Sequence, residues 1–296
     1  MTVLALTAVA TGCAGGPVAD GGPVAAEKPE ATPTPSAARP TTARERSLLH
    51  DAEQELQRRC MRAAGFRLWA VPENPLPEAR DFPYVVDDPT WAKRYGYGSL
   101  FEERIRRLRA EDPNRVYLRG LPVDRQRAAI AALNGSGREK LRAELPGGVV
   151  IGHSTTGCRV EAWRTLYGDV TAWFAAKTVV DNLGALTRQR VTTDPDFTRA
   201  MGKWSVCMRG NGLPYRSPAQ ARAEFLGTDE PGDTAREVRV AVQEAGCARS
   251  SGLASTVQRL EDRHGREVRR EHRAEVDLVE RLRTGALPSA RTVLAR

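Results

Sequence analysis

The chain has 296 residues, 41% of them hydrophobic, with 45 Lys and Arg against 37 Asp and Glu, a net charge of +8 and a pI near 9.6. That is enough chain for one large or two modest domains with a proper core, which excludes disorder throughout, and no apolar run reaches the roughly 18 residues of a bilayer-crossing helix, which excludes a polytopic membrane protein. Arginine outnumbers lysine and aromatic residues are only 6%, a balance that a GC-rich genome explains as well as nucleic acid does, so the diffuse positive charge carries no expectation of a nucleic-acid partner.

The chain opens MTVLALTAVATGCAGG, a short apolar run from Val3 to Val9 followed by small residues and Cys13. This resembles the lipobox of a bacterial lipoprotein, in which the signal is cut before a cysteine whose sulfur is then acylated. No Lys or Arg precedes the run and Ala10 stands where Leu is preferred, which suggests a true start upstream. Residues 1–13 are therefore expected to be a lipoprotein-type signal segment with Cys13 as the lipidation site. Residues 14–40, rich in Pro, Ala, Gly and Thr with almost nothing large to bury, read as a disordered tether. Fully extended, its 27 residues would span roughly 80 Å at about 3.1 Å each.

The folded body starts with a helix. Thr42 and Glu45 have capping-box spacing, Leu49, Ala52, Leu56, Cys60 and Ala63 share a face, and Gly65 suits the exit. Residues 68–90 carry five prolines and read as irregular loop. SLFEERIRRLRA and DRQRAAIAALNG read as short helices, GREKLRAELPGG as a weaker helix, and GGVVIGH as the best strand in the chain, with no obvious sibling. Beyond Cys158, Val160, Trp163, Leu166, Val170 and Phe174 keep helical spacing with a break near Gly168. DPDFTRAMGKWSVCMRGNG follows as a helix with Phe197, Met201, Trp204 and Met208 inward. The last third is helical again, through Val238, Val242 and Ala245 and then from Leu253 to Leu282. The expected fold is mainly α, an irregular helical bundle with long Pro-rich loops and at most a small β element.

An internal echo organises the body. Cys-Met-Arg occurs at Cys60 and at Cys207, and Gly-Cys at Cys158 and at Cys247, in the order CMR then GC, twice. Two disulfide-bridged lobes, 41–190 and 191–296, are the expectation. With Cys13 assigned to lipid, four cysteines remain. Four allow three connectivities, and the echo favours Cys60 with Cys158 and Cys207 with Cys247. No metal is expected: no CxxC occurs, and His264 and His272 lie about 12 Å apart along one helix.

VVIGHSTTGC raises the question of a hydrolase, because a strand, Gly-His-Ser and a helix are how a nucleophile elbow presents its serine. Ser154 is the candidate nucleophile. The tight turn of an elbow needs a second glycine where Thr156 stands, and it needs a parallel sheet beneath it. The expectation is instead a strand and turn that lead to Cys158. Glu267, Glu271 and Glu275, and Glu102 with Glu103, sit within three or four residues of arginines and read as solvated ion-pair faces. In WAKRYGYGSLF, Trp91, Tyr95 and Tyr97 are candidate ligand-stacking residues, set against the commoner use of loop rings, packing onto their own protein.

CMRAAGF, DDPTWAKRYGYGS, EDPN, AALNG, the segment from Gly157-Cys158 to LYGDVTAWF, WSVCM, EAGCA and ALPSA together resemble a group of actinobacterial secreted or lipid-anchored proteins that carries no assigned activity. The likeness runs over most of residues 48–292. It implies an extracytoplasmic, cysteine-bridged, largely helical body and passes on no catalytic role. The leading expectation is a noncatalytic binding or scaffolding ectodomain, held to the outer face of the cell membrane by lipid on Cys13, without a cofactor. An anionic wall polymer or an envelope protein is the expected partner. The alternatives are an envelope serine hydrolase using Ser154 and a basic nucleic-acid-binding protein.

Overall fold

Proline serves in this protein to begin helices. In the computed structural model, which describes residues 39–227 and 233–296, four helices start on Pro directly after a capping Asp or Ser: α2 (Pro89–Tyr95) on Asp88, α4 (Pro113–Arg119) on Asp112, α8 (Pro195–Gly210) on Asp194 and α9 (Pro218–Ala223) on Ser217. The ring fixes φ near its helical value where no N–H is needed, and the preceding side chain accepts from an otherwise unpaired backbone N–H. Cys13 and the tether as far as residue 38 lie outside the described residues.

The described residues hold twelve helices and one two-stranded sheet, so the fold is mainly α. Helix α1 (Ala43–Ala63) carries the expected capping box between Thr42 and Glu45, and Gly65 follows its end at φ +79°. Next come α2, α3 (Ser99–Glu111), α4 and α5 (Val123–Asn134), then the hairpin of β1 (Lys140–Glu144) and β2 (Val150–Ser154). Helix α6 (Cys158–Tyr167) breaks at Gly168 before α7 (Val170–Thr193), and α8 and α9 lead to α10 (Thr234–Ser250), α11 (Leu253–Glu271) and α12 (Arg273–Leu294).

Three expectations are corrected. The stretch GREKLRAELPGG is not a helix: its residues Lys140–Glu144 form the missing sibling of the GGVVIGH strand, antiparallel with Lys140 opposite Ser154 and Glu144 opposite Val150. Alternation decides it, since Leu141 and Ala143 are buried while Lys140, Arg142 and Glu144 are exposed. The five-proline segment is not loop throughout, because Pro89 opens α2. The inward face of α10 is also displaced: Glu237, Val240, Ala241, Glu244, Ala245 and Ala248 are buried, whereas Val238 and Val242 are half-buried. Charged residues occupy positions where a hydrophobic pattern was sought.

The largest core joins the segment from Leu76 to Phe101 with α8, α10 and α11 around Trp204, Met208, Leu253 and Leu260. A second joins α1, the end of α6, α7 and α12 around Trp173, Val279 and Leu287. The boundary that the echo suggested, between 190 and 191, falls inside α7, and both of these cores take residues from each side of it. The described residues all belong to one compact unit, Ala37–Arg296.

Both disulfides form. Cys60–Cys158 ties α1 to α6 across 98 residues and Cys207–Cys247 ties α8 to α10 across 40. Loop-closure entropy assigns them about 4.7 and about 3.9 kcal/mol of constraint on the unfolded chain. No described helix is long and apolar enough to cross a membrane.

Candidate functional site

Ser154 ends β2 of an antiparallel hairpin and is buried. Its Oγ lies 3.2 Å from Thr156 Oγ1 and accepts from the Thr156 N–H at 3.3 Å, closing a small turn that delivers Cys158 to α6. The neighbouring His153 points away from the hydroxyl: its Nδ1 lies 2.9 Å from the Ser154 carbonyl oxygen and its ring packs on Trp163 and Phe174. Gly135 and Gly157 close over the turn so tightly that a Cβ on Gly135 would stand 2.4 Å from Ser154 Oγ. This is a packed corner, and among the described residues no parallel sheet stands behind it.

The aromatic segment also turns inward. Trp91 and Tyr97 are buried and Tyr95 is half-buried. Trp91 packs on Phe82, Tyr95 and Phe101, and Tyr97 stacks on Phe225 at 5.5 Å. Trp91 and Tyr97 are thus taken up by their own chain, with Trp91 Nε1 on the Glu78 carbonyl oxygen and the Tyr97 N–H and hydroxyl on carboxyls of α10.

Those groups form the most unusual chemistry of the molecule. Glu237 and Glu244 lie seven apart on the inward face of α10, with only 3% and 0% of their surface exposed. Glu237 Oε1 accepts from the backbone N–H groups of Tyr97 and Ser99 at 2.7 and 3.2 Å, and Oε2 accepts from the Ser99 hydroxyl. Glu244 Oε1 accepts from the Val86 N–H at 2.8 Å and Oε2 from the Tyr97 hydroxyl at 2.7 Å. The two carboxyls thus take up donors of a segment with little secondary structure, which would otherwise be unpaired on burial. Gly96 holds φ +61°, and its missing side chain is required, because a Cβ there would approach the Glu237 carboxyl to 2.7 Å.

Burial pushes the Glu244 carboxyl up to about 7, against the opposing pull of the Val86 N–H, the Tyr97 hydroxyl and the Arg222 guanidinium. Arg222 Nη2 stands 4.0 Å from Glu244 Oε1, beyond hydrogen-bond reach, and its buried Nε and Nη2 have no hydrogen-bond partner among the described residues. Burial and the neighbouring Glu244 raise the Tyr97 hydroxyl well above the ordinary phenol range. Beside them the Tyr215 hydroxyl donates to Glu224, which also pairs with Arg236 at 3.2 Å.

Two further clusters were not read from the sequence. Glu53 on α1 accepts from the Tyr167 hydroxyl at 2.5 Å and from Trp163 Nε1 at 3.3 Å. It borders an open cleft of about 370 Å³ that Arg46, Lys177, Asp181 and Arg283 also line. Asp194 caps α8 and receives His264 Nε2 at 3.1 Å together with Arg263, while His264 Nδ1 reaches Glu267 at 3.1 Å. An imidazole held between two carboxylates on its two nitrogens is a docked side chain, tying α11 to the α7–α8 corner. Of the expected ion-pair faces, Glu103 pairs with Arg106 at 2.7 Å and Arg107 at 3.0 Å, whereas Glu271 pairs across helices with Arg190 at 2.6 Å, Glu267 and Glu275 reach His264 and His272, and Glu102 accepts from the Gly227 N–H.

A sequence signal existed for the buried acids. Glu237, Ala241, Glu244 and Ala248 follow a three-and-four spacing, and acids placed in an apolar stripe mark buried carboxylates that need donors. Nothing comparable marked Val86 or Arg222 as neighbours, since they come from distant segments. Comparison with protein-family models, with curated proteins and with solved structures finds no match.

Proposed function

We propose that this protein is an extracytoplasmic, lipid-anchored ectodomain that binds rather than catalyses, with Cys13 as its anchor and an anionic polymer of the envelope as its partner. The observation that carries the reading is the pair of disulfides, Cys60–Cys158 and Cys207–Cys247. Such bridges form and persist in oxidising compartments and are rare where glutathione and thioredoxin keep thiols reduced. The lipobox-like start, the likeness to actinobacterial envelope proteins and the net charge of +8 support it. So does the use of the polar side chains described above, which satisfy buried backbone or join helices.

Three measurements test the reading. Thiol counting on unreduced, denatured protein is expected to find the four body cysteines blocked; four reactive thiols would remove the compartment. Metabolic labelling with a fatty acid is expected to mark the parent chain and to be lost in Cys13→Ser. Co-sedimentation with a polyanion such as polyglutamate is expected to weaken steeply as salt rises, because screening shortens the reach of surface charge. Labelling of folded protein by a serine-reactive phosphonate at Ser154 would instead revive the hydrolase reading.

A further inference from the structure

The hairpin ends in apolar residues that nothing covers. Val149 is 58% exposed, Val150 53% and Ile151 38%. Side chains alternate between the two faces of a strand, so exposure on both faces shows that the end of the hairpin runs past the body, although Ile151 stands opposite buried Ala143 and Val150 directly opposite the exposed Glu144. The turn before them is Leu145-Pro146-Gly147-Gly148, closed by the Leu145 N–H donating to the Val149 oxygen at 2.8 Å. A Cβ on Gly147 or Gly148 would meet nothing within 4 Å. The base of the hairpin is anchored, with Leu141 and Ala143 packed on Val160, Val170 and Phe174.

Behind the apolar end stand cations. Arg142 is opposite Gly152 and Lys140 opposite Ser154, which at about 3.4 Å per residue places them about 7 and 14 Å behind Val150. Both are exposed, and neither enters an ion pair among the described residues. Arg138 is exposed next to them; Glu139 and Glu144 are the acidic residues of the same stretch, leaving an excess of one positive charge. Glu144 shares its face with Arg142, two residues away. An apolar wedge with long basic side chains set one headgroup depth behind it matches the profile of a bilayer interface with anionic headgroups.

We propose that this hairpin end, Leu145–Ile151, dips into the surface of an anionic lipid bilayer while Arg142 and Lys140 engage its headgroups. The proposal rests on the reading that the body stands outside a membrane. It adds a second contact, made by the folded body itself, to the proposed acyl anchor, and one weak anchor becomes stable when a second is added.

The test uses the full chain carrying Cys13→Ser, so that no acyl group contributes, floated with phosphatidylcholine vesicles with or without a quarter of phosphatidylglycerol. Binding is expected to the anionic vesicles and to fall by roughly 100-fold in Val149→Ser/Val150→Ser/Ile151→Ser. Lys140→Gln/Arg142→Gln, which alters only exposed side chains, is expected to weaken binding to anionic vesicles by roughly 30-fold, as two cations near such a surface should. No binding by the parent chain, equal binding to neutral and anionic vesicles, or equal binding by the triple variant would overturn the proposal. So would a parent chain that sediments as a dimer and becomes monomeric with the triple substitution, which would assign the face to a second copy. Because the acyl group is absent throughout, failure here leaves the Cys13 anchor standing, and fatty-acid labelling of the parent chain, lost in Cys13→Ser, tests that anchor by itself.

Discussion

Glu244 makes stability fall as pH rises. Its carboxyl is pushed up from 4.5 to about 7 in the folded protein, so the folded state holds the proton more tightly than the unfolded chain. The stabilisation is fully present below pH 4.5, is lost as pH rises towards 7, and is gone above it. At 1.36 kcal/mol per unit, the full span is about 3 kcal/mol, most of which falls between pH 5 and pH 8. That window avoids the carboxylates with the opposite behaviour, Glu55, Asp88, Glu271 and Glu280 among them, whose lowered values place their loss of stability below about pH 5. Urea unfolding at intervals across the window, on the parent and on Glu244→Gln, isolates the group, because every other titration cancels in the difference. The amide is neutral throughout and keeps an oxygen for the Val86 N–H. The variant is therefore expected to lose stability relative to the parent at pH 5 and to match or exceed it at pH 8. A difference that does not change with pH would refute the reasoning: it would mean that Arg222, at 4.0 Å, holds the carboxylate ionised and outweighs the cost of burying it.

Removing the bridges should rank by loop length: Cys60→Ala/Cys158→Ala is expected to cost about 5 kcal/mol and Cys207→Ala/Cys247→Ala about 4, read from urea unfolding with larger m-values, since the released unfolded chain exposes more surface. Gly96→Ala combines backbone strain with a collision against a carboxyl already bonded to two N–H groups, and should cost about 3 kcal/mol or more. Gly147→Ala has the strain at φ +105° but open space around it, and about 1 to 2 kcal/mol is expected by the same measurement. Tyr167→Phe removes the shorter of the two donors to Glu53 and should cost about 1.5 to 3 kcal/mol at neutral pH, visible as a lower melting temperature.

Local chemistry alone determined a good deal of this protein. The capping box at Thr42 and Glu45, the break at Gly168 and the strand ending at Ser154 are contacts between residues a few positions apart, and so is the missing glycine at Thr156 that argued against an elbow. The helical class follows from summed periodicity in the same way. The cysteine pairing was legible for a different reason: the echo of CMR and GC left one economical connectivity. Other features depended on segments far apart in the chain, and only the tertiary structure decided them. Lys140–Glu144 has too little pattern to choose strand over helix until Val150–Ser154 pairs with it. Trp91 and Tyr97 leaned towards packing on their own protein in the sequence, but which segment covers them was open until α10 packed against them. The spacing of Glu237, Ala241, Glu244 and Ala248 marks Glu244 as an acid on an inward face, but it acquires its chemistry because Val86, Tyr97 and Arg222 converge on it. Which groups surround a buried charge is set in space, and its neighbours in the chain do not name those partners.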